Sequence, residues 1–318
     1  MHDIKNRPHD VRPKIGGLVS EAILPEPNLI QKVSRWSMDF RQLEPGPMNT
    51  HIRARDGQIV SLLEISMNRG VHQQGTAPPD TLTFGVPVSN STLRWKGKEM
   101  RRGQCLTFGA EDGFEGLSDF AFHGVTISAS NSDVDALADR IGVPVDKCAR
   151  ASGVIDPVHN ASQIRSMSES ARGFLSCKLI SAMGLGDEED LLISFLQVAA
   201  SNKRLDDQSS SHQRARTVRV ALEFMQANAE DNVPISQICA ASRVSIRTLN
   251  RAFREAFGIG PKAYFLRMRL GLLRRALVEG NEPMLVSDLA NPLGFWHMGQ
   301  LARDYRAQFG ELPSETRN

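Results

Sequence analysis

Between Ser245 and Phe257 apolar residues return every three or four positions, so that Leu249, Ala252, Phe253 and Ala256 share one face of a helix. Arg247, Asn250, Arg251 and Arg254 take the opposite face, Arg243 precedes them, and no acidic residue interrupts before Glu255. Ser245 is a good N-cap, and Gly258 supplies the left-handed residue that ends such a helix. Ile235, Ile238, Ala240 and Ala241 predict a shorter helix just upstream. Two short helices joined so tightly form a helix-turn-helix, whose second helix enters the major groove of DNA. The chemistry fits: Arg pairs with guanine, Asn with adenine, and hydroxyls such as those of Ser245 and Thr248 reach phosphate. A charged helix face is also what a merely solvated helix shows, so this face alone does not decide.

The pattern occurs twice. Ile235 and Ile238 return as Val286 and Leu289, 51 positions on. Leu249, Phe253, Phe257, Gly258 and Pro261 return as Leu301, Tyr305, Phe309, Gly310 and Pro313, each 52 positions on. Such a repeat implies two copies of one supersecondary unit. Residues 261–279 between them read as one continuous helix, with Pro261 at its first position and Gly280 just past its end. That helix is about 28 Å long, near the roughly 34 Å that separates successive major-groove faces. Pro292 falls within the short first helix of the second copy, where it removes a backbone donor. The second unit is therefore expected to be kinked there and to touch mostly DNA backbone.

These residues carry a family resemblance. Ala240, Ser245, Arg247, Leu249, Arg251 and Phe253, then Gly258, Pro261 and Tyr264, then Arg269-Leu270 and Ala276-Leu277, and finally Gly294-Phe295 and Phe309-Gly310 with Pro313, resemble the double helix-turn-helix domain of the AraC/XylS family of bacterial transcription regulators. The resemblance covers the C-terminal third of the chain. It implies an activator or repressor that binds a double-stranded DNA operator, works with RNA polymerase, needs no cofactor, and answers a small-molecule effector through its N-terminal half as a homodimer. By matching position, Arg247, Asn250 and Arg251 resemble the base-facing residues of the first reading helix, and Met298, Gly299, Gln300 and Arg303 those of the second.

The N-terminal half has a different period. Short β-rich pieces run from Leu18 to Ser130, among them Ile59–Ile65, Thr81–Val86, Leu93–Trp95, Gln104–Phe108 and Phe120–Ile127, with Asp56-Gly57 and Lys96-Gly97 as turns. Many short strands predict a small barrel or double-layer β domain, and the resemblance implies a cupin-like β-barrel. Phe84, Trp95, Phe108, Phe120 and Phe122 are candidates to line an effector site in its interior, or simply to fill its core. Helical patterns follow at Asp133–Ile141, Asn160–Met183 and Asp187–Asn202. On the last, Leu192, Phe195, Leu196 and Ala199 form a stripe that either seals the β domain or meets its twin in a second chain. The fold expected is α+β in two domains: an arm at 1–14, a cupin-like sensor and dimerisation domain with appended helices at 15–204, a Ser-rich linker at 205–213, and an all-α double helix-turn-helix domain at 214–318.

Charge sharpens this division. Residues 212–318 hold 15 Lys and Arg against 10 Asp and Glu, whereas the remainder carries a net −3, which places a polyanionic partner at the C-terminal end. The surplus is modest, so tight binding calls for both units or for a dimer. Cys105, Cys148, Cys177 and Cys239 lie far apart and suit buried thiols. No signal peptide opens the chain and its apolar runs are too short to span a bilayer, so a cytoplasmic protein without a membrane partner is expected. His51, His72 and His123 stand singly, without the His-x-His pair of cupin metal sites, so no metal is expected. Two alternatives stand beside the regulator: a metal-dependent cupin enzyme with a helical tail, and a protein-interaction module whose arginine face binds an acidic partner.

Overall fold

Alternation of side chains along a strand lets each sheet bury one face against its neighbour and the other elsewhere, and the N-terminal domain uses both faces of its larger sheet. The computed structural model describes residues 19–317 apart from 89–91, 96–97, 102, 110–112, 146–151, 156–160, 177–183, 202–211, 232 and 281–283. The expected arm, the Lys96-Gly97 turn, Cys148, Cys177 and most of the linker lie outside the described residues. The strands are β1 (Val19–Leu24), β2 (Ser37–Gln42), β3 (Thr50–Asp56), β4 (Val60–Met67), β5 (Val71–Thr76), β6 (Thr81–Pro87), β7 (Leu93–Trp95), β8 (Lys98–Glu99), β9 (Cys105–Phe108), β10 (Phe114–Ser118), β11 (Phe122–Ser130) and β12 (Gly153–Ile155); the short helix α1 (Ile30–Val33) follows β1. Among the described residues they form two antiparallel sheets, ordered β1-β3-β4-β11-β6-β9-β12 and β2-β5-β10-β7-β8.

The sheets face each other across an aromatic core. Trp36, Phe40, Trp95, Phe108 and Phe114 meet Ile52, Leu63 and Ile65 there, and Trp95 stacks on Phe114 at 5.5 Å between ring centres. Among the described residues no strand pairing joins one sheet to the other. Among the described residues the expected barrel is not closed, and side-chain packing rather than a hydrogen-bond ladder connects the two sheets.

The outer face of the seven-stranded sheet is covered by α2 (Asn131–Ile141), α3 (Ala161–Ser176) and α4 (Leu185–Ser201). Leu192, Phe195 and Leu196 are fully buried against it and Ala199 packs at its margin. Phe84 lies on the same side, 4.8 Å from the Phe195 ring. The stripe of Leu192, Phe195, Leu196 and Ala199 thus packs on the sheet within one chain, the first of the two arrangements expected for it. Glu188 of α4 is also spoken for, accepting from the backbone amides of Gln58, Ile59 and Val60 at 3.0, 2.8 and 3.0 Å, which pins the β3–β4 turn.

The remaining helices are α5 (His212–Ala227), α6 (Ile235–Ser242), α7 (Ile246–Phe257), α8 (Pro261–Glu279), α9 (Val286–Ala290), α10 (Met298–Phe309) and α11 (Pro313–Thr316). Helix α8 is shared by two cores. Tyr264, Phe265 and Met268 join Leu249, Phe253 and Phe257 of the first unit; Leu270, Leu273 and Leu277 join Leu301, Tyr305 and Phe309 of the second. Replacing Phe195 by Ala should lower unfolding free energy by about 3–5 kcal/mol and leave the oligomeric state unchanged, as measured by urea denaturation and light scattering.

Candidate nucleic-acid interface

Helix α7 begins where Ser245 accepts from the Thr248 amide at 3.2 Å and ends at Gly258, whose φ of 73° is left-handed. Leu249, Ala252, Phe253 and Phe257 are buried, while Arg247, Thr248, Arg251 and Arg254 are exposed. The face expected from the spacing is therefore presented outward, with two qualifications that only coordinates supply. Arg251 Nε donates to Glu255 one turn on at 2.8 Å, and Glu255 also accepts from Arg214 of α5 at 2.7 Å. Its hydrogen bond to Arg251 holds the Glu255 carboxyl below the usual range. Asn250 is half-buried; its amide donates to the Ile246 carbonyl at 2.9 Å. Reading adenine requires Asn250 to leave that bond.

The second unit is less regular. Helix α9 stops at Ala290, two residues short of Pro292, and is five residues long where α6 has eight. The proline thus ends the helix rather than bending it, and the chain turns through Gly294 at φ 74°. In α10, Gly299, Gln300 and Arg303 are exposed and Met298 is partly buried in the second core. Gln300 donates to Asp304 and accepts from Arg303, both at 2.7 Å. Arg269 of α8 links the units, its guanidinium 5.1 Å above the Phe265 ring and 4.8 Å above that of Phe295.

Sequence reasoning missed the other end of both reading helices. The last carbonyls of a helix have no partner within it. Here the N-terminal domain supplies donors. Arg94 of β7 donates to the carbonyls of Glu255 and Ala256 at 2.9 and 3.3 Å. The Gly46 amide and the Gln42 side chain donate to the Gln308 carbonyl at 2.9 and 3.2 Å. Ala256 and Gln308 stand 52 positions apart, so the repeat offers the same docking point twice. Between these points Tyr264 enters the outer face of the five-stranded sheet. Arg41 donates to its hydroxyl at 2.8 Å, and that hydroxyl lies 2.7 Å from His72 Nδ1. Arg41 can only donate, so the hydroxyl gives its own proton to Nδ1, and Nε2–H donates to Glu115 at 3.0 Å. His72 is thereby held neutral, and burial lowers its pKa below the ordinary 6.5 against the opposing pull of Glu115. Burial likewise raises the Tyr264 phenol. Asp39 completes the cluster, bound to Arg41 at 2.8 Å and to Arg275 of α8 at 2.7 Å.

The other two candidate histidines are separately engaged, His51 with Glu21 at 2.8 Å and His123 with Glu64 at 2.7 Å. Among the described residues no group of three or more His, Cys, Asp and Glu is placed to hold a metal. Of the aromatic candidates, Phe108 and Phe122 line an interior cavity together with Trp36 and Phe114. Trp95 packs within the core beside it, Phe84 faces the helical layer and Phe120 is exposed in a turn, so these three do not line it.

Two expectations follow. Arg243 ends α6 at φ 53°, a region that favours glycine. Arg243→Gly should raise stability by about 0.5–1 kcal/mol while weakening DNA binding on all sequences, measured by denaturation and by fluorescence anisotropy. Tyr264→Phe removes the hydroxyl that bonds to His72 Nδ1 and to one Arg41 nitrogen, leaving each with only its carboxylate partner, and should cost about 1–3 kcal/mol. Because the folded-state pKa of His72 lies below its ordinary value, the stabilisation is full above pH about 6.5 and is lost as pH falls through the lowered value. Urea midpoints at pH 7.5 and 5.5 should differ more in the parent chain than in His72→Gln; Glu115, Arg41, Asp39 and Tyr264 are the charged and titratable groups facing that ring.

The helix-turn-helix domain family matches residues 238–318. The XylDLEGF operon transcriptional activator 1 of Pseudomonas putida is 32% identical over 96 residues, 30% of this chain and 29% of that protein; the chain thus covers less than a third of the length of this curated relative. A probable AraC family transcriptional regulator from Rhodopseudomonas palustris CGA009, of known structure, is 37% identical over 32% of this chain and 94% of its own, with a TM-score of 0.30. The AraC-like transcriptional activator CuxR aligns with 86% of this chain and 99% of its own at 13% identity, with a TM-score of 0.41. With two repeated units that carry the motif residues and a C-terminal sequence this similar to such regulators, the C-terminal third of the chain is a helix-turn-helix domain of the AraC/XylS type.

Proposed function

We propose that the chain regulates transcription by binding a double-stranded DNA operator through α7 and α10, in response to a small molecule held in its N-terminal sandwich. The observation that carries this reading is the exposed Arg247, Arg251 and Arg254 face of α7, opposite the buried Leu249, Ala252, Phe253 and Phe257, with Gln300 and Arg303 exposed on the repeated helix α10 across α8. Arg247 and Arg251 read bases, joined by Asn250 once its amide leaves the Ile246 carbonyl, with Gln300 and Arg303 as a secondary pair. Arg243, Ser245, Thr248 and Arg254 hold phosphate, and Met298 and Gly299 shape the second contact. Each arginine in the first set is long enough to form a bidentate bond with guanine. The sandwich serves as the cupin-like sensor, and contact with RNA polymerase follows from the role. The surplus of positive charge is small, which favours two copies on one operator.

Two substitutions separate base reading from backbone holding. Arg251→Ala should weaken operator binding on the order of ten- to a hundredfold and relax preference at one base pair. Arg254→Ala should weaken all sequences alike and shrink the salt dependence by about one phosphate contact. Binding series on operators mutated base by base measure both; an equal loss on every sequence for Arg251→Ala would remove it from the reading set.

A further inference from the structure

The space between the two sheets is not filled. The cavity there has a volume of about 40 Å3. Its wall is largely apolar and includes the rings of Trp36, Phe108, Phe114 and Phe122, and among the described residues no charged side chain lines it. Among the described residues two polar side chains reach it. Thr126 donates to the Leu63 carbonyl at 3.4 Å. Gln73 is different: it is 5% exposed, and its carboxamide has no hydrogen-bond partner among the described residues. A side chain at position 116, directly across the β5–β10 ladder, would press on it, since a Cβ there would lie 2.9 Å from Gln73 Nε2; glycine leaves the carboxamide its place.

A buried amide bears the whole penalty of lost hydration unless something bonds to it, and an anion in an apolar chamber without a cation is disfavoured far more. We propose that this cavity takes a compact, uncharged ligand about one ring in size, whose amide, hydroxyl or carbonyl group hydrogen bonds to the Gln73 carboxamide. The inference rests on the reading of the sandwich as an effector sensor and narrows it to a ligand class. The enclosed volume, room for about three waters, excludes a polycyclic ligand without extensive repacking. The position also carries a consequence for signalling. Gln73 and His72 are consecutive on β5, so one points into the cavity and the other to Tyr264 of the reading domain. A ligand that draws on Gln73 thus acts on the strand that holds the reading domain in place.

The test uses the full chain and three probes of one shape: benzamide, benzoate and toluene at pH 7.5, followed by tryptophan fluorescence and calorimetry. Benzamide should bind about tenfold or more tightly than either of the others, and in Gln73→Met its advantage over toluene should vanish. Benzoate binding as well as benzamide, or no probe saturating below its solubility limit, would overturn the proposal. Operator affinity measured with and without benzamide separates the two levels. Binding with the stated preferences but unchanged operator affinity supports the ligand class and removes the sensor reading. Operator recognition that depends on Arg251, with no probe bound, leaves the regulator reading and removes this proposal.

Discussion

The hydroxyl of Tyr264 receives a hydrogen bond from Arg41 and passes one to His72, and the arrangement of the whole chain turns on that buried contact. It lies at the start of α8, the helix that both repeated units use as a wall. On one side of it Arg94 holds the end of α7; on the other Gly46 and Gln42 hold the end of α10. Helix C-termini need donors, and an arginine or an amide from another domain satisfies them without covering the opposite end of the helix. The reading helices are thus fixed at their last turns. Their first turns and their arginine faces remain open to solvent.

This explains how much could be read from the residues. Helix α7 was legible because its cap, period and terminating glycine are local: Ser245, Phe253 and Gly258 lie within fourteen residues of one another. The second unit was legible as a copy, and Pro292 marked the right place although it ends α9 rather than kinking it. The docking surface was not legible. Arg41 and Tyr264 stand 223 positions apart, and nothing in an arginine says whether it meets a phosphate or a tyrosine. The same limit governs the α4 stripe, since a buried face has one pattern whether its partner is a sheet or a second chain. Phe84 and Phe108 show the limit in a sheet: alternation separates faces but does not say which face is the interior, and the two rings fall on opposite sides. Gln73 carried no local signal at all, because a glutamine in a strand is ordinarily solvated.

The electrostatics of the reading surface are more restrained than its composition suggests. Arg251 is paired with Glu255, and Gln300 lies between Arg303 and Asp304. These bonds hold extended side chains in order before DNA arrives, and each must be exchanged for a contact with the duplex. Such exchange favours discrimination over raw affinity, since a wrong base leaves the guanidinium better served by its own carboxylate. Among the described residues Arg243 and Arg254 form no ion pair, which suits the sequence-independent hold on phosphate proposed for them.

Rigid mutual placement of α7 and α10 is the central claim, and the spacing of the DNA they bind tests it most directly. With the operator half-elements mapped by hydroxyl-radical footprinting, about five base pairs, half a helical turn, can be inserted between the parts read by the two helices. A fixed pair of probes should lose nearly all specific binding to that operator and regain much of it when the insertion is extended to about ten base pairs. Undiminished binding to the half-turn operator would contradict the claim, because it would mean that the two helices move independently of α8 and of the sheet on which they rest.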